Sequence, residues 1–170
     1  MSRIILAPAL AADADALIAS NVASRDYHQP WTAPFTDQAG FEQWFSNQGD
    51  RAISLVVRER AGHGIVGVIN FSEIVRGSFQ NAYVGFYGIE AFARHGLMTE
   101  GLREAAAYAF GELDLHRLEA NIQPGNDRSI ALVQRVGFRK EGYSPHYLKI
   151  DGVWRDHERW AISQEDTTTA

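Results

Sequence analysis

Two short stretches hold residue types that can grip an anion or handle a proton. In ARHGLMT, residues 93–99, the basic pair Arg94 and His95 precedes Gly96, and a helical run begins at Leu97 with no Ser, Thr, Asp or Asn beside Gly96 to cap it. The first amides of such a helix lack partners and sit at the positive end of its dipole, so they form an anion site. The donors would be the amides from Gly96 through Leu97, Met98 and Thr99. Gly96 lets a bulky phosphate approach the backbone, and Arg94 and His95 add charge. The competing reading is a surface loop with a poor cap. In PGNDRS, residues 124–129, Asn126 follows a Pro-Gly turn and Ser129 stands three positions on. By spacing alone Asn126 is a helix cap and Ser129 an early helical residue, on a stripe with Leu132, Val133 and Val136 that aims its hydroxyl inward.

Other chemistries find no support. No G-x-G-x-x-G follows a first strand to open a helix, since GHGIVG at residues 62–67 is a turn that leads into a strand, and G-K-[ST], G-x-S-x-G and H-E-x-x-H are missing. The six histidines, at 28, 63, 95, 116, 146 and 157, have no ligand spacing, so no metal site is expected. With no cysteine there is no thiolate ligand, disulfide or Cys nucleophile. A net charge of −5 argues against general nucleic-acid binding, which needs clustered Lys and Arg. The opening MSRIILAPALAADADAL meets Asp13 and Asp15 too early for an export signal and reads as a first strand, so a cytoplasmic protein off the membrane is expected.

The elements that must hold these residues follow from periodicity. The pattern predicts a strand over 3–6, a helix over 13–23 carrying Leu17, Ile18 and Val22, and a loop HQPWTAPF over 28–35. A helix over 36–48, capped by Thr36 or Asp37, presents Phe41, Trp44 and Phe45. Strands over 52–60, 65–75 and 82–89 form a meander, the last weakened by Gly85 and Gly88. A long helix over 97–113, a strand over 117–122, a helix over 129–136 ended by Gly137, and two closing strands around 138–143 and 154–162 complete the order. With 170 residues, 45% apolar and 22% charged, this is one soluble domain over residues 1–163 with a polar tail, residues 164–170, expected to fray. The fold class is α/β in the α+β sense, a mixed sheet with helices on both faces.

The run GFYGIEAFARHGLMTEGL resembles the phosphate-binding turn of the GNAT superfamily of N-acetyltransferases, which cradles the pyrophosphate of acetyl coenzyme A. Gly96 fits its first glycine, whereas Ala93 stands where Gln or Arg is usual and Met98 where Gly or Ala is. INFSEIVRGSF, PGNDRS, RVGFRKEGY and IDGVWRDH extend the likeness to the branch that acetylates ribosomal-protein N-termini, alanine in particular. The resemblance implies a mostly antiparallel sheet with a splayed central strand. It also implies acetyl coenzyme A as cosubstrate, no metal, and direct transfer in a ternary complex.

By that resemblance Tyr87, Gly88 and Ile89 pair with the pantetheine arm, amides near Ile89 receive the thioester oxygen, and the turn Arg94, His95, Gly96, Leu97, Met98 and Thr99 receives the pyrophosphate. Asn126 and Ser129 contact the coenzyme, with Ser129 protonating the departing thiolate; Arg128 and Arg135 are candidates for an outer phosphate. Glu73, Tyr83, Glu90, His146 and His157 are the candidate bases. Trp31, Phe35, Phe41, Trp44 and Phe45 either wall an acceptor groove or form a satellite core. The implied acceptor is the N-terminal α-amine of a protein, a ribosomal protein first. The alternatives are a small amine such as an antibiotic, polyamine or amino acid, or a coenzyme-binding regulatory domain without turnover. A monomer or homodimer fits equally.

Overall fold

The runs rich in Val, Ile, Phe and Tyr become seven strands: β1 (Ile4–Pro8), β2 (Ile53–Glu59), β3 (Ile65–Val75), β4 (Asn81–Gly88), β5 (Arg117–Ile122), β6 (Arg139–Ile150) and β7 (Val153–Ser163). They form one sheet in the order β1-β2-β3-β4-β5-β7-β6 in this computed structural model, which describes residues 2–167. Neighbours are antiparallel except β4 and β5, which run parallel. The helices are α1 (Ala14–Ala23), α2 (Arg25–His28), α3 (Gln38–Ser46), α4 (Leu97–Gly111), α5 (Asp127–Val136) and α6 (Gln164–Thr167). Both α2 and α6 are single turns that the apolar pattern does not mark.

Alternation along β2 shows why the sheet is covered twice. Leu55 and Val57 join Ile4, Val66, Leu102, Ala105 and Leu118 beneath α4 and α5, while Val56 joins Leu17, Phe41, Val68 and Ile89 beneath α1 and α3. Helix α4 lies so close to β2 that a Cβ added at Gly101 would sit 2.9 Å from Val57 Cγ2. That close seat fixes where the α4 N-terminus points. Asp37, of the two candidate caps, accepts the Gly40 amide at 2.8 Å, and Gly137 ends α5 at φ 111° with its amide on the Val133 carbonyl.

Strands β4 and β5 pair only at Asn81↔Arg117, Ala82↔Leu118 and Tyr83↔Glu119, yet β4 continues beside β3 as far as Gly67↔Gly88. From Val84 onward β4 therefore has a partner on one side only, and a split opens in the middle of the sheet. The glycines Gly85 and Gly88 do not interrupt β4. The register shift lies in β3 between Ser72 and Val75, where Glu73 takes φ 48°, and β4 runs regularly through both glycines. The expected frayed tail is also modified: Asp166 accepts the Ser163 amide at 2.8 Å and pairs with Arg139, which holds the α6 turn against the sheet. Residues 168–170 of that tail lie outside the described residues. No helix among the described residues is long and apolar enough to cross a membrane.

Candidate active site

The split is the floor of a cleft of about 890 Å³ lined by residues of β4, β5, α4, α5, the α2 loop and the β6–β7 hairpin. Because Ile89 N–H donates to the Val66 carbonyl at 2.8 Å, the antiparallel alternation turns the backbone groups of Gly85, Tyr87 and Ile89 toward β3. Those of Val84, Phe86 and Gly88 face the split. This corrects the expectation for Ile89, whose amide is committed to β3; the amide that can receive a carbonyl oxygen at this end of β4 belongs to Gly88. Tyr87, Gly88 and Ile89 all line the cleft, the first and last through side chains.

At one end of the split Gly96 caps α4 in the left-handed region, φ 77° and ψ 0°, with no side-chain cap. A residue with a Cβ is strained there. The Thr99 and Glu100 amides both turn back to the Gly96 carbonyl, at 3.1 and 3.2 Å, so Leu97 and Met98 hold the forward amides of the turn. Arg94, itself at φ 66°, lines the cleft beside Gly96, Met98 and Thr99. His95 does not: it is exposed and outside the lining, so the basic pair does not act together. Leu97 is buried in the core and contributes backbone alone.

Met98 departs from the family pattern for a packing reason. A Cβ at Gly67 would come 2.4 Å from Met98 Sδ, and one at Gly88 would come 3.3 Å from Met98 Cγ. The thioether thus fills the space that two strand glycines leave under the cleft floor, and a smaller residue there would leave a void.

Asn126 and Ser129 stand on the opposite wall. Asn126 Oδ1 accepts the Ser129 amide at 3.3 Å as the α5 cap, and both residues line the cleft. Arg128 is drawn across the top, its guanidinium 4.2 Å from the Tyr27 ring centroid and its Nη2 donating to the Tyr27 carbonyl at 3.0 Å. Gln123 Nε2 donates to the Trp31 carbonyl at 3.4 Å, so the α2 loop and the α5 start bridge the split.

Residues 3–139 match the acetyltransferase (GNAT) domain family. The chain belongs to this family. It is 46% identical over 104 residues, 61% of this chain and 54% of the relative, to the [ribosomal protein uS5]-alanine N-acetyltransferase of Escherichia coli K12. The chain thus spans about half the length of that curated relative. Mycobacterium smegmatis RimJ in complex with CoA-disulfide superposes with a TM-score of 0.87 at 27% identity, covering 98% of this chain and 85% of that one. A Vibrio cholerae spermidine N-acetyltransferase shares the fold at a TM-score of 0.82 and 19% identity, over 98% of this chain and 99% of that one. The GNAT fold alone therefore does not choose the acceptor.

Within this GNAT domain, sequence reasoning missed a buried polar stripe. Asn21, Ser24 and His28 are 1%, 1% and 4% exposed and recur at i, i+3, i+7 along α1 and α2, the spacing of an apolar stripe. They grip the end of β4. Asn21 Nδ2 donates to the Tyr87 hydroxyl at 3.3 Å, His28 Nε2 donates to the Gly88 carbonyl at 2.8 Å, and Ser24 Oγ accepts the Glu90 amide at 3.1 Å. Since the Ile89 amide bonds Val66, the Gly88–Ile89 peptide unit is held at both ends. Burial lowers the His28 pKa below its ordinary value, with the Gly88 hydrogen bond opposing, and the donor role places its proton on Nε2. Burial pushes the Tyr87 phenol up to about 12, so it stays neutral. Polar residues at helical spacing on an otherwise inward face were the available signal.

Of the candidate bases, only His157 lines the cleft; its Nδ1 donates to the Arg155 carbonyl at 2.9 Å. Glu73 pairs with Arg51, Glu90 and His146 are exposed, and a hydrogen bond with Tyr147 holds the Tyr83 phenol above its ordinary pKa. Among the aromatics, Trp31 lines the cleft. Phe35, Phe41, Trp44 and Phe45 instead stack on one another at centroid distances of 5.1 to 5.7 Å as a satellite core. No group of three or more possible metal ligands occurs among the described residues.

Proposed function

We propose that this chain transfers an acetyl group from acetyl coenzyme A to a primary amine, and that its natural acceptor is the N-terminal α-amine of a protein, with ribosomal proteins the first candidates. The observation that carries the reading is the one-sided edge of β4 opening beside an uncapped helix start. The cleft-facing groups of Val84 and Phe86 can pair with an extended amide-bearing arm, while the Leu97 and Met98 amides with Arg94 receive its pyrophosphate. The acceptor nitrogen attacks the thioester carbonyl, the Gly88 amide stabilises the oxyanion, and the C–S bond breaks as the C–N bond remains. Ser129 Oγ–H protonates the thiolate and regains a proton from solvent, and Asn126 holds the α5 start that carries it. The new amide nitrogen loses its extra proton to water. An α-amine titrates at about 7.7–8.0 against about 10.4 for lysine, so enough of it is neutral near pH 7 without a dedicated base.

Charge supports a protein terminus over a polyamine. Among the described residues that line the cleft, Asp127 is the one carboxylate, against Arg94, Arg128 and Arg135. A polycation would meet like charge in such a lining. The direct experiment follows free thiol release from acetyl coenzyme A with an alanine- or serine-started peptide, ribosomal proteins and a panel of small amines. Release with the peptide or ribosomal protein is expected; release with small amines alone would overturn the acceptor assignment, and none at all would overturn the enzyme.

A further inference from the structure

One cleft residue outside the transfer machinery has its hydrogen-bonding direction fixed by its neighbours. Asn70 sits on β3, directly across from Gly85 on β4, and both line the cleft. A backbone N–H can only donate, so the Ser54 amide, 2.6 Å from Gln48 Oε1, fixes the orientation of the Gln48 carboxamide. Gln48 Nε2 then donates to Ser54 Oγ at 2.9 Å, and the Ser54 hydroxyl donates to Asn70 Oδ1 at 2.6 Å. The Trp44 indole, also donor only, reaches the same Oδ1 at 3.1 Å. The indole contact fixes the direction of the Asn70 carboxamide, and the Ser54 bond agrees with it. Asn70 Oδ1 is turned into the protein and saturated, and Nδ2, which donates to no group among the described residues, is turned to the cleft.

The space in front of that amide is open. Directly paired residues share a face of the sheet, and a Cβ built at Gly85 would meet nothing within 4 Å. The position lies on the α1 and α3 side of β4, the side of Tyr87, opposite the face that packs under α4. A molecule there meets the two N–H donors of Asn70, in a cleft whose lining among the described residues holds one carboxylate, Asp127 at the start of α5, which suits an oxygen acceptor better than a bare ammonium.

We propose that Asn70 is a specificity-determining residue that donates to a carbonyl oxygen adjoining the acceptor amine, so that the site selects α-aminoacyl acceptors over amines lacking a neighbouring carbonyl. The proposal rests on the acetyltransferase reading and narrows its acceptor class. A peptide N-terminus supplies the carbonyl of its first residue; a polyamine has only nitrogens and leaves the Asn70 donors unmatched. A site built around a hydrogen-bonding group rejects the analogue that lacks it far better than an apolar pocket rejects a methyl group.

The test compares L-alaninamide with isopropylamine, which replaces the carboxamide by a methyl group. Each is titrated into the coenzyme-A-bound protein while the Asn70 side-chain N–H2 signal, identified by its absence in Asn70→Ala, is followed by nitrogen-15 NMR. L-alaninamide should shift that signal and bind about tenfold tighter than isopropylamine, and the preference should vanish in Asn70→Ala and Asn70→Asp. Asn70→Asp keeps an oxygen for Trp44 and Ser54, and unchanged coenzyme A affinity certifies its fold. Equal binding of the two amines, an unmoved Asn70 signal, or a preference that survives both substitutions would overturn the proposal. Thiol release, read in parallel, reports on the transfer reaction alone: a selective shift without it would keep the recognition and sink the enzyme.

Discussion

Replacing His28 with Phe removes one hydrogen-bond donor while keeping a ring between Tyr27 and Tyr87, whose centroids lie 6.0 and 5.2 Å from the imidazole. What is lost is the 2.8 Å bond to the Gly88 carbonyl, at a site where His28 is 4% exposed. A buried carbonyl left without its donor costs about 1–3 kcal/mol. For a chain of this size that corresponds to a fall in Tm of about 2–12 °C. Urea and thermal unfolding followed by circular dichroism at about pH 7.5 would measure it, and a second series at about pH 5.5 adds an independent sign, because the two straddle the ordinary imidazole pKa of 6.5. His28 has a lowered folded pKa, so between that value and 6.5 the unfolded chain binds more protons. Its contribution is present in full above about 6.5 and is lost as the pH falls from there through the lower folded value. His28→Phe should therefore be less stable than the native chain at the higher pH, and the gap should narrow at the lower one. An unchanged midpoint at the higher pH, or a gap that widens on acidification, would refute the clasp on β4.

Four further substitutions probe the rest of the site. Ser129→Ala should lower turnover about a hundredfold with coenzyme A affinity preserved, by the usual scale of general-acid catalysis; equal rates would leave Ser129 as a helix residue only. Gly67→Ala places a Cβ 2.4 Å from both Met98 Sδ and the Tyr87 carbonyl oxygen, so it should cost about 1–3 kcal/mol in urea unfolding. Adding Met98→Ala should not restore that loss, because the backbone clash stays. Gly96→Ala should cost about 1–2 kcal/mol of stability from the left-handed backbone and weaken coenzyme A binding in calorimetry, and a stability identical to the native chain would contradict the turn geometry.

The sheet and its helices were legible because their signals are local. Alternation marks β2 and β3, a helical stripe marks α4, and Asn126 and Gly137 punctuate α5 at both ends. The anion turn was legible for the same reason, since Gly96 and its missing cap are neighbours in sequence. What stayed hidden depends on register. Which of Tyr87, Gly88 and Ile89 presents its amide to the split is set by a bond to Val66, a residue on another strand, and a shift of one would exchange the answer. Asn21, Ser24 and His28 were missed because their partners, the Tyr87 hydroxyl, the Glu90 amide and the Gly88 carbonyl, lie far away along the chain. The direction of Asn70 follows from Ser54, Gln48 and Trp44, a chain that no spacing rule encodes. His95 was misplaced because adjacency to Arg94 says nothing about which of the two the left-handed turn sends outward.

The parting of β4 from β5 makes this protein a sheet with four edges, two outside and two within. The inner edge of β4 keeps a row of backbone donors and acceptors ready for an added strand, and the bridge from Tyr27 and Trp31 to Arg128 and Gln123 shields it from a second polypeptide. A ligand that completes the ladder binds the folded chain and has nothing to pair with in the unfolded one. At a concentration a hundred times its dissociation constant, such a ligand adds about 2.7 kcal/mol to folding. On the proposed function, the supply of acetyl coenzyme A sets how long the folded chain persists as well as how fast it turns over.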